Sequence, residues 1–342
     1  KPNPTMVPIL AMQWFGAVKP NTPYSESGLG PQPSAGPYYV KAWDTGKSLI
    51  EVRNPNYKGA RPANPDTIAW TANTDQDQGL LQVKAGEVDL DTLSPPPTSN
   101  ADLGAQYGVN KPGGRFHVGP STCILYATMN TSRAPFNKLA ARKAFEWAID
   151  RPAITRTLGK YAGKRSDQIL VPGVPGYHDF HLYAIKGADP AKAKQVGGSA
   201  IKGTVTVMHS ASSASINAAQ IIEFNLKAIG FDTKDKLVPG SIYYPTLGTR
   251  GVDFDEARAG WCADYFDPFD FINVLLDGRS IQDKNNVNFA YYNSPELNAA
   301  MDKAASLSGA ARATAYAALD LRIMRDHAPW APYSFVELEL AE

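Results

Sequence analysis

From Cys123 onward the chain alternates between two hydrophobic periods, and this limits the fold more than any other feature. Runs of strand length occur at Cys123–Asn130 (CILYATMN), Thr204–Met208, Phe231–Leu237, Asp253–Gly260 and Trp330–Leu340. Between them lie stretches whose pattern returns every three or four positions, the period of a helix face. Leu139–Asp150 (LAARKAFEWAID) shows it at Leu139, Ala140, Lys143, Ala144, Trp147 and Ala148. Ser212–Ile229 shows it again and stops at Gly230, the residue type that most readily closes a helix with a left-handed backbone. Shorter helices are predicted from Pro152 to Leu158 and over Asp189–Val196, Ile242–Gly248, Pro295–Leu307 and Ala310–His327. Strands alternating with helices imply an α/β lobe with mixed strands, from about residue 119 to 330.

The first 118 residues read differently. Residues 1–37 are rich in Pro, Gly and Ser and suggest a surface loop with a short helix near Pro8–Trp14. Gly36–Trp43 (GPYYVKAW) and Ser48–Asn54 (SLIEVRN) flank Asp44-Thr45-Gly46, a turn signal between two strands. Asp66–Thr71 is a third strand, Asp75–Ala85 an amphipathic helix stopping near Gly86, and Val88–Leu90 a short strand. After the stiff Ser94–Pro97 come a short helix and a strand at Arg115–Val118. The expected division is 1–118 as part of a first lobe, 119–330 as a second lobe, and 331–342 as a strand returning to the first.

A chain of 342 residues has room for two such lobes, and 43% apolar residues suffice for a real core. The 27 prolines and 28 glycines favour long, shaped loops over a helical bundle. With 34 basic and 33 acidic residues the net charge is +1, which gives no basis for nucleic-acid or membrane-surface binding. No run approaches the roughly 18 apolar residues of a membrane span, and no signal peptide or lipidation site is visible at Lys1. The two cysteines, Cys123 and Cys262, show no CxxC spacing, which argues against a structural metal. A long-range disulfide and two separate buried thiols both fit.

Glu256–Phe271 (EARAGWCADYFDPFDF) crowds charges and aromatic rings together. A buried strand would not carry so many charges, and an ordinary surface loop would not carry Trp, Tyr and three Phe. Aromatic walls around one or two fixed charges suit a pocket that grips a polar ligand, so this stretch is expected to floor a binding site.

Six segments carry a family likeness. GPYYVKAW, VRNPNY, KAGEVDL (Lys84–Leu90), Met129–Arg151 (MNTSRAPFNKLAARKAFEWAIDR), NLKAIGF and ARAGWCADYFDP occur in one order over nearly the whole chain. In that order they resemble the peptide/nickel class (family 5) of extracellular solute-binding proteins, and most of all the oligopeptide-binding proteins. The resemblance implies a two-lobed α/β fold of the periplasmic-binding-protein type (type II, cluster C), with mixed sheets flanked by helices. It implies a monomeric, cofactor-free, non-enzymatic component of an ABC importer. Such a protein captures oligopeptides between its lobes and delivers them to membrane permease subunits. The location implied is extracytoplasmic, in a periplasm or at a cell surface through a lipid anchor. Relatives carry further residues before the GPY segment and after the last strand. The first lobe is therefore expected to be incomplete, and peptide affinity to be weakened accordingly.

The resemblance also assigns roles. Asp264, at the W-x-x-D spacing from Trp261, would pair with a peptide's α-ammonium. Arg258, and Arg250 across a one-residue gap, would meet its carboxylate, which Arg forks fit bidentately. Trp261, Tyr265, Tyr126 and Tyr243 would form walls, whereas Asp267 and Asp270 suit turn and helix capping. Where relatives place a histidine early in the long helix, this chain has Ser213-Ala214-Ser215, so carboxylate recognition is expected to differ. Cys123 and Cys262 stand where the oligopeptide-binding proteins carry a disulfide. The alternatives are a non-peptide ligand (an oligosaccharide, a nickel chelate, haem or a natural product) or, more remotely, a hydrolase using the HxxH pair His178 and His181. No GxSxG, HExxH, Walker or dinucleotide-binding motif supports the last, and no metal is expected.

Overall fold

The alternating periods become a six-stranded mixed sheet in the computed structural model, which describes residues 4–10, 12, 19–23, 33–72, 75–161 and 163–341. The strands are β1 (Tyr38–Asp44), β2 (Ser48–Arg53), β3 (Thr67–Thr71), β4 (Phe116–Met129), β5 (Gly163–Lys164), β6 (Thr204–Ser210), β7 (Asp232–Val238), β8 (Glu256–Cys262) and β9 (Trp330–Ala341). The large sheet has the order β5-β9-β4-β8-β6-β7. β4 lies antiparallel between β8 and β9, while β6 runs parallel to both β7 and β8.

The central strands of this sheet are covered on both faces, which is why the second half of β4 and the core of β6 read as nearly continuous apolar runs, while the edge strand β7 is exposed. On one face, Ala127 and Met129 of β4 pack with Phe145 of helix Leu139–Ala148, Ile154 of helix Arg151–Thr157, and Ile222 and Leu226 of helix Ser213–Ile229. On the other, Ile124 and Tyr126 pack with Phe271 and Leu275 of helix Phe269–Leu276, Leu297 of helix Pro295–Ala305, and Tyr316 of helix Gly309–Arg322. The helix ends follow the sequence. Ser212 caps the 17-residue helix through Ser215 N–H, and Gly230 closes it at φ 119°.

β1, β2 and β3 form a separate antiparallel meander in which no residue is buried. A third, small cluster, Leu80, Val83, Leu103, Phe116 and Ala341, gathers where the start of β4 meets the end of β9. It is closed by a polar contact across the chain. Asn100 Nδ2 donates to Glu339 Oε1 at 2.8 Å and Oε2 at 2.7 Å, both residues being buried. Burial lifts the Glu339 carboxyl to about 7, against the pull of the Asn100 amide. Because this folded value is raised, Glu339 is neutral below about pH 7 and needs its donor above it. Asn100→Leu is therefore expected to lower stability by about 1–3 kcal/mol at pH 8, and by less at pH 5.5. Urea unfolding at the two pH values measures this; an equal loss at both would contradict it.

Several expectations are corrected. Arg115–Val118 and Cys123–Asn130 are one strand, β4, which runs unbroken through residues 118 and 119. Its register with β9 shifts between Pro120 and Ile124, so the polar interruption is an irregularity rather than an end. Val88–Leu90 is not a strand; only an isolated bridge, Asp91 to Ala341, forms there. The short N-terminal helix is Met6–Leu10, and Trp14 lies outside the described residues. Helix Phe269–Leu276 and the two-residue β5 were not anticipated, and the last long helix ends in a π-turn at Ile323–His327. Among the described residues, no helix is long and apolar enough to cross a membrane.

Candidate functional site

Because β6, β7 and β8 run in the same direction, their carboxyl ends, Ser210, Val238 and Cys262, share one edge of the sheet. Ligands of open α/β sheets bind beyond the carboxyl ends of the strands. The aromatic and acidic stretch emerges at that edge, as the last residues of β8 and the loop that leads into helix Phe269–Leu276.

Asp270, in the first turn of that helix, organises the loop. Its buried Oδ2 accepts from Asp264 N–H at 2.8 Å and from Trp261 Nε1 at 3.2 Å. Asp264 itself is exposed, and partial desolvation raises its pKa. Tyr265 is buried among Asp270, Asp267 and Asp264, and burial raises its phenol well above the usual range. Asp267 grips Arg312 through both oxygens, Oδ1 to Nη2 at 2.7 Å and Oδ2 to Nε at 3.0 Å, and its Oδ1 also accepts from Phe269 N–H. Asp267 thus serves the turn into the helix, whereas Asp270 caps no helix N–H and instead holds two expected ligand residues.

Strand geometry divides the remaining residues. Alternate positions of β8 set Arg258 on the face of Cys262 and Trp261 on the opposite face. Arg258 is half-buried and donates from Nε to Tyr333 Oη at 2.8 Å. Burial opposes its charge, yet the surrounding tyrosine oxygens, Tyr333 first, leave its pKa raised. Three wall assignments meet buried rings: Tyr265, described above, Tyr126 and Tyr243. Tyr126 is fully buried and stacks on Trp330 at 3.8 Å with an interplanar angle of 15°, so it is core. Tyr243 is also buried, its hydroxyl lying 2.6 Å from Arg258 O and 3.1 Å from Met208 O, where it ties β8 to β6 from beneath. Arg250, exposed on a loop, pairs with Asp283 at 3.0 Å rather than standing free for a carboxylate.

Cys123 and Cys262 are direct cross-strand partners of β4 and β8 and are joined as a disulfide. His178 and His181 share no partner: His181 faces Asp179 at 3.1 Å and His178 lies near Phe180. Among the described residues, no group of three His, Cys, Asp or Glu is placed to hold a metal.

Sequence reasoning missed Tyr333 and Arg312, which are far from the motif and reach it only through packing. It also missed Glu256, fully buried with neither carboxylate oxygen hydrogen-bonded. Burial pushes its carboxyl well above the usual range. His209, at the same edge, is buried with Nε2 2.6 Å from Asp235 and Nδ1 3.0 Å from Ser210 O.

Solved binding-protein structures superpose on this mixed sheet and its covering helices with TM-scores of 0.72–0.81, which gives the chain the type II periplasmic-binding-protein fold. The sequence profile of the bacterial extracellular solute-binding proteins, family 5 middle, matches residues 1–283, and the chain belongs to that family. It is 24% identical over 328 residues to the periplasmic oligopeptide-binding protein OppA of Escherichia coli (strain K12), covering 90% of this chain and 56% of the relative. It is 25% identical over 315 residues to heme-binding protein A of Haemophilus influenzae (strain ATCC 51907 / DSM 11121 / KW20 / Rd), covering 87% of this chain and 53% of the relative. Among solved structures, clavulanic acid biosynthesis oligopeptide binding protein 2 superposes with a TM-score of 0.81 at 22% identity, over 90% of this chain and 59% of that one. The chain therefore spans little more than half the length of these proteins, and these relatives are binding proteins by name.

Proposed function

We propose that this chain supplies the larger ligand-gripping lobe of an extracytoplasmic receptor that captures oligopeptides and hands them to the permease of an ABC importer. Residues 119–330 form that lobe together with β9, which pairs with β4 along its length rather than returning to the first lobe, and residues 1–118 belong mainly to the first. The receptor acts as a monomer, without a cofactor and without catalysis. The observation that carries the reading is the exposed Asp264, whose backbone is fixed by the same buried Asp270 oxygen that holds the Trp261 indole. A cation entering a partly dry cleft needs a fixed anion, and a charge-assisted hydrogen bond provides one. Arg258, on the other face of the strand, is the candidate for the carboxylate end, shared with Tyr333. Main-chain hydrogen bonds to an extended peptide would supply affinity without reading side chains.

The test is isothermal titration of the chain with di- to nonapeptides, their N-acetylated forms, an oligosaccharide and hemin. Free-amine peptides should bind. Asp264→Asn, or N-acetylation, should weaken binding by about 1.5–3 kcal/mol, roughly ten- to a hundredfold. Heat with hemin or the sugar and none with any peptide would replace this reading. The hemin arm is included because a relative of similar identity is a heme-binding protein by name.

A further inference from the structure

We propose that Asp270 is a positioning residue of this site. Its buried carboxylate sets Trp261 and the Asp264 backbone in one arrangement and, when ionised, places a second negative charge beneath the ligand's cationic end. The ligand half of this statement rests on the peptide reading above; the positioning half does not.

The geometry is specific. A single oxygen, Asp270 Oδ2, receives both the Asp264 N–H and the Trp261 indole N–H, so one carboxylate orients the wall and the anion together. The Asp270 side chain is 1% exposed, whereas Asp264, six residues earlier, faces solvent. Asp264 therefore meets the ligand, and Asp270 acts through it and through field. Its place in the first turn of helix Phe269–Leu276 also suits a negative charge, since the free N–H groups there favour an anion.

Its ionisation is finely balanced. Burial, with the like charge of Asp264, raises the carboxyl to about 6, while the N–H donors of Asp264, Trp261 and Tyr265 pull it down. The other groups around it are accounted for. Asp267 is held by Arg312, and Tyr265 and Tyr316 are neutral, with phenols raised by burial. Since the folded value is raised, the anion is present above about pH 6 and is lost as pH falls through it. The site is thus expected to lose its second charge, and part of its preference for a cation, in mildly acidic surroundings.

Indole N–H resonances of the 15N-labelled chain test the positioning half without any ligand. The chain has six tryptophans, and Trp261→Phe assigns the relevant signal. That signal should titrate with a midpoint near 6. Asp270→Asn should abolish this titration while the other five indole signals stay in place. Asp264→Asn should keep it, with the midpoint moved down because the like charge is gone. A Trp261 signal that ignores pH, or that titrates unchanged in Asp270→Asn, would overturn the proposal. The second arm uses a free-amine tripeptide. Asp270→Asn should bind it about tenfold more weakly than wild type at pH 7.5 and equally at pH 5. A constant ratio across pH would reduce Asp270 to a structural residue and defeat the charge half. If no peptide binds, the peptide reading fails and the indole titration still decides the positioning role.

Discussion

Removing the disulfide between Cys123 and Cys262 should lower the unfolding free energy by about 4–5 kcal/mol. The estimate follows from loop closure. The two residues are separated by 139 positions, and the chain-entropy treatment assigns about 5 kcal/mol to so long a loop, less any strain. The native state should change little. The bond joins strands already paired from Cys123–Cys262 through to Met129–Glu256, and Ala263 N–H donates to Thr122 O just beyond it. The loss therefore falls on the unfolded ensemble, which regains the freedom the cross-link removes. Cys262 is exposed at the sheet edge, so a phosphine reductant should reach the bond without prior unfolding. Urea midpoints of the oxidised chain, the reduced chain and Cys123→Ala/Cys262→Ala make the comparison. Coincident midpoints would show that the cross-link constrains nothing the fold does not already constrain.

Much of the α/β lobe was legible because its central strands are covered on both sides. Continuous apolar runs such as CILYATMN have few other places to go. The helix ends at Gly86 and Gly230 were legible for a local reason. Each glycine takes a left-handed backbone, at φ 71° and 119°, which other residues adopt reluctantly. What failed depended on partners distant in sequence. β4 looked like two strands because Gly119-Pro120-Ser121-Thr122 breaks the apolar pattern, yet pairing with β9 resumes beyond a register shift. Helix Phe269–Leu276 was hidden by its shortness. It has only eight residues, too few for a period to stand out, and its polar positions Asp270 and Asn273 are buried along with Phe271, Ile272, Leu275 and Leu276. Spacing and family likeness set Trp261 and Asp264 together in one segment, and the fold links both to Asp270. The places of Tyr126 and Tyr243 were not legible, since an aromatic side chain does not say whether it meets solvent or another ring. Tyr126 is core because Trp330 stacks on it, and Tyr243 because two carbonyls from different strands converge on its hydroxyl.

Asp267 illustrates the same limit with an energetic consequence. In the sequence it is a loop aspartate before proline; in the fold its carboxylate is the partner of Arg312, their side chains being 11% and 6% exposed. Arg312 also donates from Nη1 to Ala304 O and Ala305 O and lies over the Tyr316 ring at 4.9 Å. One guanidinium thus ties helix Gly309–Arg322 to the end of helix Pro295–Ala305 and to the loop that carries Asp264. Burial disfavours its charge, but the hydrogen bonds to Asp267 more than restore it, so the cation persists. Asp267→Ala should therefore lower stability by about 3–5 kcal/mol, because it leaves a buried cation without its counter-charge. Replacing both partners by apolar residues, Asp267→Leu with Arg312→Met, should cost much less than Asp267→Ala alone, since no charge then remains to be desolvated. The loss in Asp267→Ala should also change little between low and high salt, because screening hardly reaches a pair this enclosed. Urea unfolding of Asp267→Ala and of the double variant, at two ionic strengths, measures all three expectations. A loss below about 1 kcal/mol in Asp267→Ala would place the pair with ordinary surface ion pairs.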